Sequence, residues 1–347
     1  MERLLIRRPW DMHVHFRQGE VLDGLVRETA RYCAGALVMP NTSPPILTYE
    51  DALEYEFRIK NVANRAGYQH FKPLMALKLA QNTSEQTIWR AASSINSIVK
   101  AVKLYPRGVT TNTSDGVSAP LEKNLQKVYA AMQEVGMVLS IHCEDPNADV
   151  FAAEEQYLPV VGLLTHLFPD LRIVLEHVST RAAVEFVQQS GPNVAATITA
   201  HHMRFNRNHL LKDGLRPHLY CKPILKTEND RQAVHAAAVS GNPTFFLGSD
   251  SAPHPKNAKE TSCCAAGVFT APILIPLLAE SFEDARMLDR LEGFASIYGP
   301  QFYGIVPRQS AALLTLVRET EQIPHPRSSE AAVLPLAGES LRWRIQY

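Results

Sequence analysis

The sequence predicts an α/β fold, a single closed (β/α)8 barrel, on three observations. Eight short apolar or β-branched runs alternate with segments of helical spacing, an order that favours a closed parallel sheet over an open doubly wound one. The chain has 347 residues, more than the roughly 250 such a barrel takes, so extensions fit as well. Polar residues fall late in the apolar runs, where barrels of this kind place their sites.

The expected strands are, in order, "MHVHF" (12–16), "ALVMP" (36–40), "FKPLMALKL" (71–79), "KAVKLYP" (100–106), "GMVLSIHC" (136–143), "RIVLEHV" (172–178), "NVAATITA" (193–200) and "TFFLGSD" (244–250). Helical spacing appears at 21–34, 49–66, 120–135 and 180–190, with Thr180 placed as an N-cap and Pro120 as a first-turn residue. The apolar stretch "VFTAPILIPLLA" (268–279) is shorter than the roughly 20 residues of a membrane span and reads as a core helix.

Composition narrows the class of function. Lys plus Arg and Asp plus Glu both number 35, so no global field attracts nucleic acid or an anionic membrane. The N-terminus "MERLLIRRPWDMHVH" lacks the apolar core of a secretory signal, and a cytoplasmic protein is expected. Five scattered cysteines without a CxxC pair read as inert thiols, Cys263 and Cys264 included. Gly-rich phosphate loops are absent, so nucleotide binding has no support.

The chemistry gathers at strand ends. In "DMHVHFRQG" (11–19), alternation along a strand would put His13, His15 and Arg17 on one face. A lone HxH pattern is as readily a half-buried strand with hydrogen-bonded histidines. Yet His15, Asn41, Lys103, His142, His177 and Asp250 fall at equivalent late positions of six runs, which points to a shared site. His13, His15, His142, His177 and Asp250 offer four imidazoles and a carboxylate, a set suited to zinc and tolerant of manganese or cobalt. Five ligands exceed what one catalytic zinc takes, whereas a two-metal centre uses them all. Lys103 has no lone pair as an ammonium. It is either an ordinary lysine reaching the surface or a neutral amine that captures CO2 as a carbamate and bridges the ions.

The motifs "HVHFR", "VMPNTSPP", "KLYPRGVTTN", "SIHCED", "LEHVST", "MRFNRNHLL", "GLRPHLYCKPILK", "GSDSAPH", "IYGPQFYG" and the closing "AVLPLAGESLRWRIQY" together resemble the dihydroorotases of the amidohydrolase superfamily, in their compact bacterial form. The resemblance runs from about residue 3 to the end. It implies a (β/α)8 TIM barrel with a binuclear metal centre at the C-terminal ends of the strands. His13, His15 and Asp250 would hold one Zn2+, His142 and His177 a second, with carboxylated Lys103 between them. It further implies that Arg17, Asn41 and His254 bind the substrate carboxylate and ring, and that backbone groups around Lys222 and Ala266 meet the pyrimidine edge. Thr110 and Thr111 would sit on a loop that closes over the substrate.

The implied reaction is the reversible cyclisation of N-carbamoyl-L-aspartate to L-dihydroorotate, in which a hydroxide between the ions attacks the ring amide and Asp250 shuttles the proton. A homodimer is implied too. Departures from the family pattern are His201, often Gln, Lys222, often Leu, and the loop "ETSCCAAGVF". The first two bear on affinity more than on reaction type, and His201 and His202 read as surplus to the ligand set.

A hydantoinase or allantoinase would use the same metals on the same barrel. Those relatives usually carry a β domain built from both termini, and here only 12 residues precede His13. A catalytically dead barrel would be expected to have lost a ligand or Lys103, and this chain keeps all six. Residues 1–347 are expected to form one barrel domain. Its C-terminal extension, from about 318 to 347, would begin as a polar connection containing His325 and pack back through the alternating "LRWRI".

Overall fold

A computed structural model describes residues 2–93, 97–305, 312–325 and 332–347. Strand β1 (Arg3–Arg7) stands apart from the strands that follow it. Eight parallel strands then pair in chain order: β2 (Trp10–Val14), β3 (Gly35–Val38), β4 (Lys72–Lys78), β5 (Val99–Leu104), β6 (Val138–Ile141), β7 (Ile173–Leu175), β8 (Val194–Ile198) and β9 (Phe245–Leu247). The sheet closes where Val14 bridges Ser251 and the Asp250 N–H donates to the His13 carbonyl at 2.9 Å. Each strand overlaps one of the eight apolar runs, so the molecule is a (β/α)8 TIM barrel.

The helices are α1 (Leu22–Ala30), α2 (Tyr49–Arg65), α3 (Glu85–Ala92), α4 (Lys123–Val135), α5 (Ala153–Leu167) and α6 (Arg181–Gln189), one after each of the first six barrel strands. After β8 come α7 (Ala200–Arg204), α8 (Arg207–Leu211) and α9 (Glu228–Val239), and after β9 come α10 (Lys256–Lys259), α11 (Leu274–Asp284) and α12 (Tyr298–Phe302). Thr180 caps α6 by accepting from the Ala183 N–H at 3.1 Å. Helix α2 starts at a reciprocal box in which Thr48 Oγ1 accepts from the Asp51 N–H and the Asp51 carboxylate accepts from the Thr48 N–H. Pro120 is not a first-turn residue: α4 begins three residues later, and the Pro120 carbonyl instead accepts from the Tyr129 hydroxyl at 2.9 Å.

Trp10, Met12, Leu37, Leu74, Ala101, Val138, Val174, Ala195 and Phe246, drawn from all eight strands, pack with Tyr303 inside the barrel. The larger core lies between strands and helices. In β2 the pairing register shifts between Asp11 and Val14, a bulge that breaks simple alternation. Trp10 and Met12 face the interior in simple alternation, but His13 turns toward the same interior and Val14 joins the outer core.

Both termini meet in a three-stranded antiparallel sheet of β1, β10 (Leu313–Gln322) and β11 (Ser340–Gln346). The segment read as a polar connection from about residue 318 therefore begins inside a strand. In β11 Leu341, Trp343 and Ile345 are buried at alternate positions and join the main core. His325 is exposed, and residues 326–331 of the extension lie outside the described residues. Among the described residues no helix is long and apolar enough to cross a membrane.

Candidate metal centre

His13 and His15 come together from the bulged end of β2, with their Nε2 atoms 3.3 Å apart. The Asp250 carboxylate, just beyond β9, lies 3.1 Å from His15 Nε2 and 3.5 Å from His13 Nε2. His142 follows β6 and His177 follows β7, and His142 Nδ1 faces His177 Nε2 at 3.1 Å. The His13 and His177 rings, 5.1 Å apart, join these two groups into one. Lys103 projects from β5, fully buried, and its Nζ has no hydrogen-bond partner.

These residues fit a pair of divalent ions, because carboxylates hold one ring nitrogen each of His13 and His142, while His177 Nδ1 and Lys103 Nζ are buried without a partner. His13 Nδ1 lies 2.7 Å from Glu176 and His142 Nε2 lies 2.7 Å from Glu144. A ring N–H donated to a carboxylate fixes the tautomer and turns the other nitrogen's lone pair toward the centre. Burial holds His15 down at about 4 and keeps His142 and His177 below the usual imidazole range, so these rings are neutral. Burial also lowers the Lys103 amine to about 8, which makes the neutral form needed for a carbamate accessible. An unpartnered buried amine is costly, and an anionic group built on it would find donors and cations there.

The backbone is strained at the same places. Arg17 (φ 58°), His177 (φ 42°) and Asp250 (φ 43°) all occupy the left-handed region, at a cost of about 1–3 kcal/mol each. For Arg17 this corrects the strand argument. β2 ends at Val14, and Arg17 reaches the site through a left-handed turn, not by strand alternation. Its carbonyl accepts from the Tyr55 hydroxyl.

Arg17, Asn41, Thr110, Thr111, Lys222 and Ala266 line one cavity with the four histidines and Asp250. His254 lines an outer cleft of about 710 Å³ that shares Arg17 and Thr111 with it. His254 Nε2 lies 3.1 Å from Arg17 Nη2 and 3.0 Å from the Ala266 carbonyl. A carbonyl only accepts, so the ring donates to Ala266 and leaves the Arg17 fork without an acceptor at that ring. Arg17 Nε is buried and unpartnered as well, which is the arrangement of a guanidinium set to receive an anion.

The Thr110–Thr111 loop is docked. Asn41 Nδ2 donates to the Thr111 carbonyl at 3.1 Å, Asn112 Nδ2 to the Asn41 carbonyl at 3.0 Å, and Lys78 Nζ to the Asn112 carbonyl at 3.0 Å. The cavity is about 20 Å³, close to what a single water requires.

His202 spends both ring nitrogens on Thr199 (2.9 Å) and the Pro223 carbonyl (3.0 Å). His201 is buried with neither nitrogen partnered, and His201, His202 and Cys221 form a separate group whose donor atoms lie within 4.8 Å of one another. Cys263 is exposed on its loop.

Sequence reasoning missed the carboxylates behind the ligands. Glu176 accepts from Thr197 Oγ1 at 2.6 Å and from the Ser140 hydroxyl besides meeting His13. Asp11 accepts from the Ser249 N–H at 2.8 Å and its hydroxyl at 2.5 Å, tying β2 to the residues after β9. The signal was present: a wholly buried Glu inside "VLEHV" and an Asp directly before "MHVH" need partners.

The profile of the amidohydrolase family matches residues 5–308. A dihydroorotase of Vibrio cholerae is 48% identical over 349 residues and covers 100% of both chains. One from Aromatoleum aromaticum is 47% identical over 354 residues, covering 99% of this chain and 100% of its own. Among solved structures, a dihydroorotase from Saccharomyces cerevisiae in complex with 5-fluoroorotic acid superposes with a TM-score of 0.90 at 33% identity, over 100% of this chain and 99% of that one. An L-hydantoinase from Arthrobacter aurescens gives a TM-score of 0.81 at 17% identity, over 99% of this chain and 83% of its own, a likeness of fold alone. The chain belongs to the amidohydrolase family and, within it, to the dihydroorotases.

Proposed function

We propose that the chain catalyses the reversible cyclisation of N-carbamoyl-L-aspartate to L-dihydroorotate and water, the third step of de novo pyrimidine synthesis. The observation that carries this reading is the cavity shared by Arg17 and the ligand set, which joins an anion receptor to a hydrolytic centre. His13, His15 and Asp250 would hold one zinc ion and His142 and His177 the other, with Lys103 bridging as its carbamate. When bound, the ions supply Lewis-acid polarisation of the ring carbonyl and acidify water between them.

The chain's own residues do the rest. Arg17 binds the substrate carboxylate with its fork, and Asn41 and His254 complete that end. Backbone groups around Lys222 and Ala266 orient the ring. In the hydrolytic direction Asp250 takes the proton of the water attacking the ring amide carbon and returns it to the ring nitrogen as the C–N bond breaks. In synthesis the carbamoyl nitrogen attacks the side-chain carboxyl carbon, Asp250 takes the proton that nitrogen loses and passes it to the departing oxygen, and a second proton from solvent completes the water. The Thr110–Thr111 loop would swing out for substrate and then exclude solvent. The reading includes one-domain chains in the cytoplasm, paired as a homodimer, which the family resemblance implies.

A hydantoinase-type substrate without a carboxylate would leave Arg17 unanswered. The test compares L-dihydroorotate with dihydrouracil, the same ring lacking the carboxylate. Hydrolysis of the first at a kcat/KM at least about 10²-fold above the second is expected, the scale of a lost charge-assisted pair. Preference for dihydrouracil would overturn the assignment.

A further inference from the structure

Lys259 closes α10 and is only 2% exposed, yet among the described residues no carboxylate pairs with it. An ammonium has three N–H donors and no acceptor. Each donor finds a separate backbone carbonyl: Tyr220 at 2.8 Å, Ala265 at 2.8 Å and Gly267 at 2.7 Å. These carbonyls come from two segments more than 40 residues apart in the chain, and both segments form a wall of the cavity. Tyr220 stands two residues before Lys222, and Ala265 and Gly267 flank Ala266.

Successive carbonyls of an unfolded-out backbone point to opposite sides. With the Ala265 and Gly267 carbonyls drawn to Lys259, the Ala266 carbonyl between them turns the other way and accepts from His254 Nε2 at 3.0 Å. That hydrogen bond settles which His254 nitrogen is protonated and thereby leaves the Arg17 fork open. The Gly267 N–H donates to the Tyr220 carbonyl at 2.9 Å, so the two segments are also stitched directly. A side chain at Gly267 is excluded, since a Cβ there would stand 2.2 Å from the Ala252 carbonyl and φ is +150°. Burial lowers the Lys259 amine to about 8.

We propose that Lys259 is a positioning residue for substrate binding: its ammonium clamps the Tyr220 and Ala265–Gly267 backbones so that the Lys222–Ala266 wall and the His254–Arg17 pair face the substrate in register. This rests on the dihydroorotase reading, in which that wall meets the pyrimidine ring. Lys259 touches neither the metal ligands nor the reacting atoms, so its loss should weaken binding more than turnover.

The experiment is steady-state hydrolysis of L-dihydroorotate by the zinc-loaded wild-type enzyme and its Lys259→Met variant, with zinc content measured on both. The expected result is a KM raised at least tenfold, a kcat within about threefold of wild type and an unchanged zinc content. An unchanged KM in folded Lys259→Met overturns the clamp, as does a fall in kcat that tracks lost zinc or lost folded protein. If Lys259→Met does not fold, Lys259→Gln keeps two donors, and its KM should rise at least threefold. A wild-type KM in Lys259→Gln overturns the proposal equally. Wild-type enzyme inactive on L-dihydroorotate would overturn the underlying reading with it, whereas an active wild type beside an indifferent variant overturns the clamp alone.

Discussion

His13 and His142 each give one ring nitrogen to a carboxylate and turn the other toward a second imidazole, whereas His202 spends both nitrogens on hydrogen bonds of its own. That difference sets the candidate ligands His13 and His142 apart from His202 at the scale of a residue, and it is invisible in a one-dimensional string. What the string does carry is position: His15, His142, His177 and Asp250 were legible because each falls late in an apolar run, and His13 because it stands two residues before His15. Glu176 and Glu144 were legible only as oddities, since their value lies in a 2.7 Å contact with a ring from elsewhere or next door. Glu176→Gln is predicted to lower metal affinity or activity about 10–100-fold, the usual effect of losing a carboxylate behind a ligating imidazole. Zinc titration of the apo variant measures it. For Lys103, substitution by Ala should leave fewer than two ions per chain and abolish turnover, with partial return on adding a short carboxylic acid. Two ions per chain in Lys103→Ala would remove the bridge from the account.

Among elements, the eight strands follow from apolar runs whose length and β-branching are local properties, and the structure places a strand on each. The bulge in β2 does not follow from the run itself, because it is a mismatch with β3. The left-handed turn at Arg17 is likewise set by closure against Tyr55 and the barrel end, not by any preference of arginine. Pro120 suited a helix start by chemistry, yet the chain keeps Leu121 and Glu122 outside α4. Where a cap is purely local, the effect is predictable: Thr48→Ala removes the oxygen that accepts from the Asp51 N–H and should cost about 1 kcal/mol. In a domain of this size that is a fall of roughly 1–2 °C in Tm, with kinetic constants unchanged. A thermal scan paired with an assay checks both.

At the scale of the molecule, the terminal sheet was the hardest feature to foresee. β1 and β10 pair residues about 310 positions apart, from Arg3 with Val317 to Arg7 with Leu313, and no local pattern announces such a partner. The alternation in "LRWRI" gave half of it, one buried face, but not what that face would meet. The barrel itself was legible because β and α segments simply alternate and neighbours in sequence become neighbours in space. Bringing five strand ends to one rim then gathers the candidate ligand set without further design. Hydrolysis of L-dihydroorotate by the purified chain, followed before chelation, after chelation and after reloading with zinc, tests the whole most directly. Activity should vanish with the metal and return with it. Turnover that persists in a metal-free sample, or none from a folded chain carrying two zinc ions, would contradict a metal-dependent dihydroorotase.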